Sequence, residues 1–151
     1  SAHWLATELC AEGLAAQATP NLAAAVRAAH IVSCATTATE PVVLGEWLQP
    51  GTHLDLVGGF KPHMREVDDA AVALSRVVVD TYTGAMAEAG DLAQPLARGV
   101  ISREHIVADL AELLRGERAG RRDAGDITLF KSVGTALEDL AAAELVLGVA
   151  L

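Results

Sequence analysis

Apolar residues recur at two spacings along this chain, and the alternation between them predicts an α/β fold. Ala2, Leu5, Ala6, Leu9 and Cys10 fall at helical intervals, so a helix is expected from Ala2 to Glu12, stopped by Gly13. Ala15–Ala18 is a short strand candidate, and Asn21 is placed to cap a helix over Leu22–Ala29. His30–Cys34 is apolar and β-branched, as a buried parallel strand requires. A threonine-rich loop, Ala35–Thr39, follows it. Glu46–Leu48 reads as one helical turn, and Gln49-Pro50-Gly51 as a tight turn. Thr52–Val57 is a second strand running into Gly58-Gly59, Asp68–Leu74 a helix, and Arg76–Asp80 a third strand. Thr83–Ala89 is expected to be a helix ended by Gly90. Ile106, Leu110, Leu113 and Leu114 share one face of an amphipathic helix over Arg103–Arg115. Ile127–Phe130 is short and apolar. Lys131–Leu151 reads as a long apolar helix whose polar residues are Glu138, Asp139 and Glu144.

Strands separated by helices imply βαβ units and a parallel sheet, with right-handed crossovers placing helices on both faces. Such sheets bind ligands at the carboxyl ends of their strands. Three places qualify: Cys34–Thr37, Val57–Phe60 and the loop after Asp80. The dinucleotide-binding pattern Gly-x-Gly-x-x-Gly does not occur, and Gly58-Gly59 lacks its spacing. The expectation is therefore an incomplete doubly wound sheet.

Composition narrows the partners. The formal net charge of −9 argues against a nucleic-acid surface, which needs clustered cations. The one basic cluster, Arg115–Arg122, is interleaved with glycine and acids and reads as a solvated loop. No apolar run reaches the roughly 18 residues of a membrane helix, so no membrane partner is expected, and no secretory signal opens the sequence. Cys10 and Cys34 do not make a disulfide framework and read as small core hydrophobes, which fits a reducing cytoplasm. His3, His30, His53 and His105 are isolated, so no metal site is expected.

Three stretches in order carry a resemblance. They are Ile31–Val42 (Ile-Val-Ser-Cys-Ala-Thr-Thr-Ala-Thr-Glu-Pro-Val), Gly45–Asp69 with its Gly-Thr-His-Leu-Asp-Leu-Val-Gly-Gly-Phe-Lys-Pro centre, and Asp126–Ala143 with Phe130-Lys131-Ser132-Val133-Gly134. Together they resemble the ornithine cyclodeaminase/μ-crystallin family, over nearly the whole chain from Ala2 onward but only the second half of a family member. The resemblance implies the C-terminal portion of a Rossmann-type NAD(P)-binding domain, residues 1–125. Residues 126–151 would be a C-terminal segment whose helix returns to a substrate and dimerisation domain outside this sequence. It implies NADPH or NADH as cofactor, a small imino-acid substrate and a homodimer.

One departure matters. Cyclodeaminases carry a stretch resembling Val-Gly-Gly-Asp, whose Asp serves proton and deamination chemistry, and here that position is Phe60. A phenyl ring cannot act as a general base. Phe60-Lys61-Pro62 with Met64-Arg65-Glu66 instead resembles the branch that reduces Δ1-pyrroline-2-carboxylate or Δ1-piperideine-2-carboxylate. A cyclodeaminase-like lyase and a non-catalytic μ-crystallin-like binding protein are the alternatives.

The resemblance assigns Ser1, Ala35, Thr36, Thr37, Val57, Gly58, Gly59 and Ser132 to the cofactor, and Phe60 and Val133 to the substrate; it names no catalytic residue in this chain. Each assignment has a plainer counterpart. Ala35–Thr37 also suits a self-bonded loop. Gly58-Gly59 suits a tight strand-end turn as well as close approach to a ring. Ser132 and Val133 are expected to open a helix whose free N–H groups face a ligand, although Ser132 also suits a simple cap. Ser1, at the end of the family's second strand, would suit a ribose 2′-phosphate. Lys61, His63 and Arg65 are candidates to hold a substrate carboxylate or else a solvated loop, and Glu66, Asp68 and Asp69 read as an acidic helix start.

Overall fold

A computed structural model describes residues 1–148. The chain begins with helices α1 (Ala2–Ala11) and α2 (Leu22–Ala28), the latter capped by Asn21 as its spacing predicts. Strand β1 (Ile31–Cys34), a 3-10 turn at Gly45–Trp47 and strand β2 (His53–Leu56) follow. Next come α3 (Asp69–Leu74), β3 (Arg76–Val79), α4 (Tyr82–Glu88) and α5 (Gly90–Ala97). A 3-10 turn at Arg103–His105 leads into β4 (Ile106–Asp109) and α6 (Leu110–Leu114). The last elements are β5 (Thr128–Lys131) and α7 (Ala136–Leu147).

The five strands form one parallel sheet in the order β1-β2-β5-β3-β4. Register explains the core. Leu54, Leu129 and Val77 lie abreast, as do Leu56, Lys131 and Val79, so one face carries a continuous apolar layer interrupted by a single lysine. That layer is buried with Val72 and Ala71 of α3, Ala85 of α4 and Leu92 of α5. Each buried leucine there contributes about 1.5–3 kcal/mol. The opposite face is thinner: Leu110 and Leu113 of α6, with Val78, Phe130, His53 and Arg121, line a cavity of about 390 Å³. It reaches the first residues of β2 and β5, so it is not at the strand ends where ligands of such sheets bind. Among the described residues no helix is long and apolar enough to cross a membrane.

Four expectations need correction. Ala15–Ala18 forms no strand; alanines offer little to pack on a pleated surface, and β1 stays an edge strand with Ile31 68% exposed. The helix expected over Arg103–Arg115 holds β4 instead, because Ile106 and Ala108 alternate into the core and pair with Val77 and Val78. Gly90 does not end the helical region but opens α5; it is glycine because a Cβ there would strike the backbone carbonyls of Met64, Pro62 and Lys61. Lys131–Thr135 is not helical: Lys131 ends β5, and α7 starts after Thr135, whose hydroxyl forms a capping box with Glu138. Positions 149–151 of the expected helix lie outside the described residues. Within residues 126–148, β5 is the central strand of the sheet, between β2 and β3.

Candidate functional site

The carboxyl ends of β1, β2, β3 and β5 bring together the loops 35–37, 57–60, 80–81 and 132–134. The first two are stitched by backbone bonds. Val57 N–H donates to the Cys34 carbonyl at 2.8 Å, and Gly59 N–H donates to the Thr36 carbonyl at 3.3 Å. Ala35, Thr36 and Thr37 are exposed, as are Val57 at 48% and Phe60 at 42%. The predicted residues Ala35–Thr37, Val57 and Phe60 therefore share one surface at the ligand end of the sheet. The Lys61 ammonium lies 5.7 Å from the centroid of the Phe60 ring.

Gly58 and Gly59 are buried, and protein fills the space that side chains would need. A Cβ at Gly58 would strike the Thr36 peptide and the Glu66 carboxylate; at Gly59, where φ is +61°, it would meet Asp91 Oδ2 at 2.7 Å. These glycines are required by the packing behind the turn, which is the plainer of the two readings of the motif.

Beneath that turn lie Glu66, Asp91 and Lys131, each with no exposed surface. Thr36 N–H donates to Glu66 Oε1 at 2.6 Å. Glu66 and Val67 N–H donate to Asp91 Oδ1 at 2.7 and 3.0 Å. Lys131 Nζ is 3.6 Å from Asp91 Oδ2 and donates to the carbonyls of Leu56, at 3.4 Å, and Gly58. Burial pushes the Asp91 carboxyl up from its ordinary range, against the pull of the two amides and of Lys131. Burial, aided by Glu66, Asp91 and Asp55, pushes the Cys34 thiol up to about 11, so it is an inert thiol rather than a nucleophile.

Asp80 organises the loop after β5. Its Oδ2 accepts from Ser132 Oγ at 3.0 Å, Val133 N at 2.8 Å and Gly134 N at 2.9 Å, and its Oδ1 accepts from Thr81 N at 2.6 Å. Ser132 and Val133 thus do not open a helix with free N–H groups. The amides of Val133 and Gly134 are bonded internally, and the Ser132 hydroxyl gives its proton to Asp80. Val133 remains half-buried beside this loop, in reach of Gly84.

The remaining candidates separate. Ser1 caps α1, accepting from Trp4 N at 3.5 Å. Arg65 is buried and engaged with the Val67 carbonyl, Gln94 and Asp69, which removes it from the substrate candidates; Lys61 and His63 are exposed. Of the acidic group, Asp68 caps α3 and Asp69 pairs with Arg65 and Arg98, while Glu66 leaves the helix start to bond Thr36. Sequence reasoning singles out the loop after Asp80 and quotes Lys131 within its motif, but it gives no role to Asp80, Lys131 or Glu66 at the site and does not name Asp91. The available signal is a charge inside or directly after an apolar strand, as in Val77-Val78-Val79-Asp80 and Leu129-Phe130-Lys131. Among the described residues no cluster of His, Cys, Asp and Glu is arranged to hold a metal ion.

A dinucleotide fits this surface in part. The exposed Thr36 and Thr37, with Val57 beside them, suit a flat ring and a ribose. Among the described residues the loop after β5 offers the phosphates no free amides at Val133 and Gly134, because Asp80 holds both.

Comparison with known proteins agrees with the geometry. A Δ1-pyrroline-2-carboxylate reductase of Paracoccus denitrificans is 45% identical over 123 residues, which span 82% of this chain and 39% of that protein. The structure of Thermococcus litoralis Δ1-pyrroline-2-carboxylate reductase in complex with NADH and L-proline superposes with a TM-score of 0.91 at 40% identity, covering 95% of this chain and 45% of that one. An archaeal alanine dehydrogenase dimer with bound NAD gives a TM-score of 0.89 at 29% identity, covering 95% and 44%. The chain therefore spans less than half the length of these relatives, and its parallel sheet is of the Rossmann type that they share. The sequence profile of the ornithine cyclodeaminase/mu-crystallin family matches residues 2–150, and the chain belongs to that family.

Proposed function

We propose that the protein is an NAD(P)H-dependent reductase of cyclic imino acids, converting Δ1-pyrroline-2-carboxylate to proline and Δ1-piperideine-2-carboxylate to pipecolate. In this reading the chain supplies one wall of the nicotinamide pocket. The observation that carries it is Phe60. It stands exposed at the ligand end of β2, and the carboxylates that hold the surrounding loops, Glu66, Asp91 and Asp80, are buried and hydrogen-bonded. A lyase that must bind an ammonium group and move protons after oxidising it would lack its base here. Reduction of a preformed imine needs only a bound carboxylate, a hydride on the correct face and one proton.

Ala35, Thr36, Thr37 and Val57 would hold the nicotinamide end of the cofactor, with Ser132 and Asp80 fixing the neighbouring loop. When bound, NADH or NADPH supplies the hydride. Phe60 and Val133 give the substrate an apolar surface, which excludes water and suits a small ring. The exposed Lys61 ammonium, which lies beside Phe60, would pair with the substrate carboxylate in this reading. Ser1 leaves room for the 2′-phosphate of NADPH in this reading. A homodimer, in which α7 packs on a substrate domain, belongs to the same proposal. So does a cytoplasmic setting, supported by the two free cysteines.

This chain by itself is expected to be inactive, so the test is a side-by-side assay of the full-length protein with both cyclic imines and with L-ornithine, using NADH and NADPH in turn. Reduction of either imine, with no appreciable cyclisation of ornithine, is expected. Faster conversion of ornithine to proline than reduction of either imine would refute the proposal.

A further inference from the structure

Glu66, Asp91 and Lys131 have no exposed surface, and the reaction proposed above uses none of them. Two carboxylates and one ammonium are costly to bury, and apolar residues of similar volume could fill the same space. Among the described residues Asp91 Oδ2, though 3.6 Å from Lys131 Nζ, and Glu66 Oε2 have no hydrogen-bond partner, so the arrangement is not one that stability alone explains.

Their bonds share a destination. Glu66 holds the Thr36 amide, Asp91 holds the amides of Glu66 and Val67, and Lys131 faces Asp91 and holds the Gly58 carbonyl. Gly59 N–H then returns to the Thr36 carbonyl. The path is closed. It runs through the loop after β1, the segment before α3, the start of α5, the end of β5 and the loop after β2. Each link is a directional bond to a backbone group or between opposite charges, so the Thr36 peptide and the Gly58-Gly59 peptides cannot move independently. Those peptides carry the exposed side chains Thr36, Thr37, Val57 and Phe60.

We infer that Glu66, Asp91 and Lys131 are positioning residues, which fix the spacing of the Thr36 and Gly58-Gly59 peptides and so shape the surface that receives the nicotinamide end of a dinucleotide. The part concerning the dinucleotide rests on the reductase reading; the part concerning the loops does not. Glu66 is the member that touches the first loop directly, and two substitutions there separate the charge from the bond. Gln at this position keeps an acceptor for the Thr36 amide, whereas Leu removes it.

The experiment compares wild type, Glu66→Gln and Glu66→Leu, each in the full-length protein, in two measurements. The first is amide hydrogen exchange of the unliganded protein at residues 35–37 and 57–60. In wild type the Thr36 amide is expected to exchange slowly although its residue is exposed. Glu66→Gln retains that protection, and Glu66→Leu lowers it about tenfold or more. The second is steady-state kinetics with NADH, NADPH and Δ1-pyrroline-2-carboxylate. Glu66→Leu is expected to raise the KM for the dinucleotide about 10- to 100-fold, with Glu66→Gln restoring it to within about threefold of wild type. A purely structural role would lower the active fraction, and with it kcat, without moving that KM. Rapid exchange of the Thr36 amide in wild type overturns the inference without any variant, which covers the case of a Glu66→Leu chain that does not fold. Unchanged Thr36 exchange or unchanged dinucleotide KM in Glu66→Leu overturns it as well. If wild type reduces no imine, the reductase reading fails, while exchange at Thr36 still decides whether the network holds the loops.

Discussion

Replacing Gly58 by alanine tests whether the double-glycine turn exists for a ligand or for the protein behind it. The added methyl would strike both the N and O atoms of the Thr36 peptide and Glu66 Oε1. None of these is the free end of a flexible side chain: two are backbone, and the third is a buried carboxylate fixed by a 2.6 Å bond. Overpacking a filled site costs about 1–3 kcal/mol. Displacing Glu66 from the Thr36 amide leaves a part-buried donor and a buried acceptor unpaired, at about 1–3 kcal/mol more. Taking about 3 kcal/mol as the working figure, the unfolding midpoint of a chain of this size falls by about 6–12 °C. The control is Gly99→Ala. Gly99 has φ +71° and nothing within 4 Å of an added Cβ, so the cost is backbone strain alone, about 1–2 kcal/mol. Thermal unfolding of wild type and both variants, followed by circular dichroism, makes the comparison. If Gly58→Ala is no less stable than Gly99→Ala, the packing argument is wrong. If it is as stable as wild type and loses only affinity for the dinucleotide, the turn serves close approach to the ligand after all.

Two further outcomes follow from exposed surface and from charge. This 151-residue chain, expressed by itself, is expected to self-associate, because β1 is an open edge with Ile31 68% exposed, and α1 and α7 expose Trp4, Leu5, Leu145 and Val146; a concentration-independent monomer in light scattering would contradict this. His53 is held below its ordinary value of 6.5, chiefly by burial and with Arg121 adding to it, against Asp55 and its bond to Thr128. The folded state therefore binds its proton less readily than the unfolded state, so its contribution is present above pH 6.5 and is lost as pH falls below it. The stability of wild type relative to His53→Asn should thus drop between pH 7.5 and 5.5 in chemical denaturation, and a difference constant across that range would refute the sign.

Most of the sheet is legible from the sequence. Ile31–Cys34, His53–Leu56 and Arg76–Val79 are short β-branched or alternating runs between turn residues, and helix caps such as Asn21 and Asp68 announce themselves. The failures have a common origin in tertiary context. Ile106, Leu110, Leu113 and Leu114 satisfy a helical spacing, while Ile106 and Ala108 also satisfy a period of two. Only the open edge of β3 decides between them, and it does so by offering hydrogen bonds to Ile106–Asp109. Ala15–Ala18 fails in the opposite sense, since it has no strand beside it in the described structure.

The site divides along a similar line. Residues that face outward, Ala35–Thr37, Val57 and Phe60, are legible because the carboxyl ends of parallel strands are where ligands meet such sheets. Residues that hold those loops from behind are not, because a lone Lys, Asp or Glu reads as surface until its neighbours are known. Lys131 sits one residue before the predicted Ser132, and Glu66 one residue after Arg65; in each pair the sequence draws attention to the neighbour. Alternation gives the physical reason. Lys131 occupies the same side of β5 as Leu129, the side that packs on α3 and α5, so a charge there cannot reach solvent and must find its partner inside. A charged residue that falls in phase with the buried positions of a strand should therefore be read as a candidate for an internal bond before it is assigned to the surface. Applied to β3 and β5, that rule points to Asp80, which is in phase with buried Val78, and to Lys131, the two residues that hold the loop after β5 and the Gly58 carbonyl.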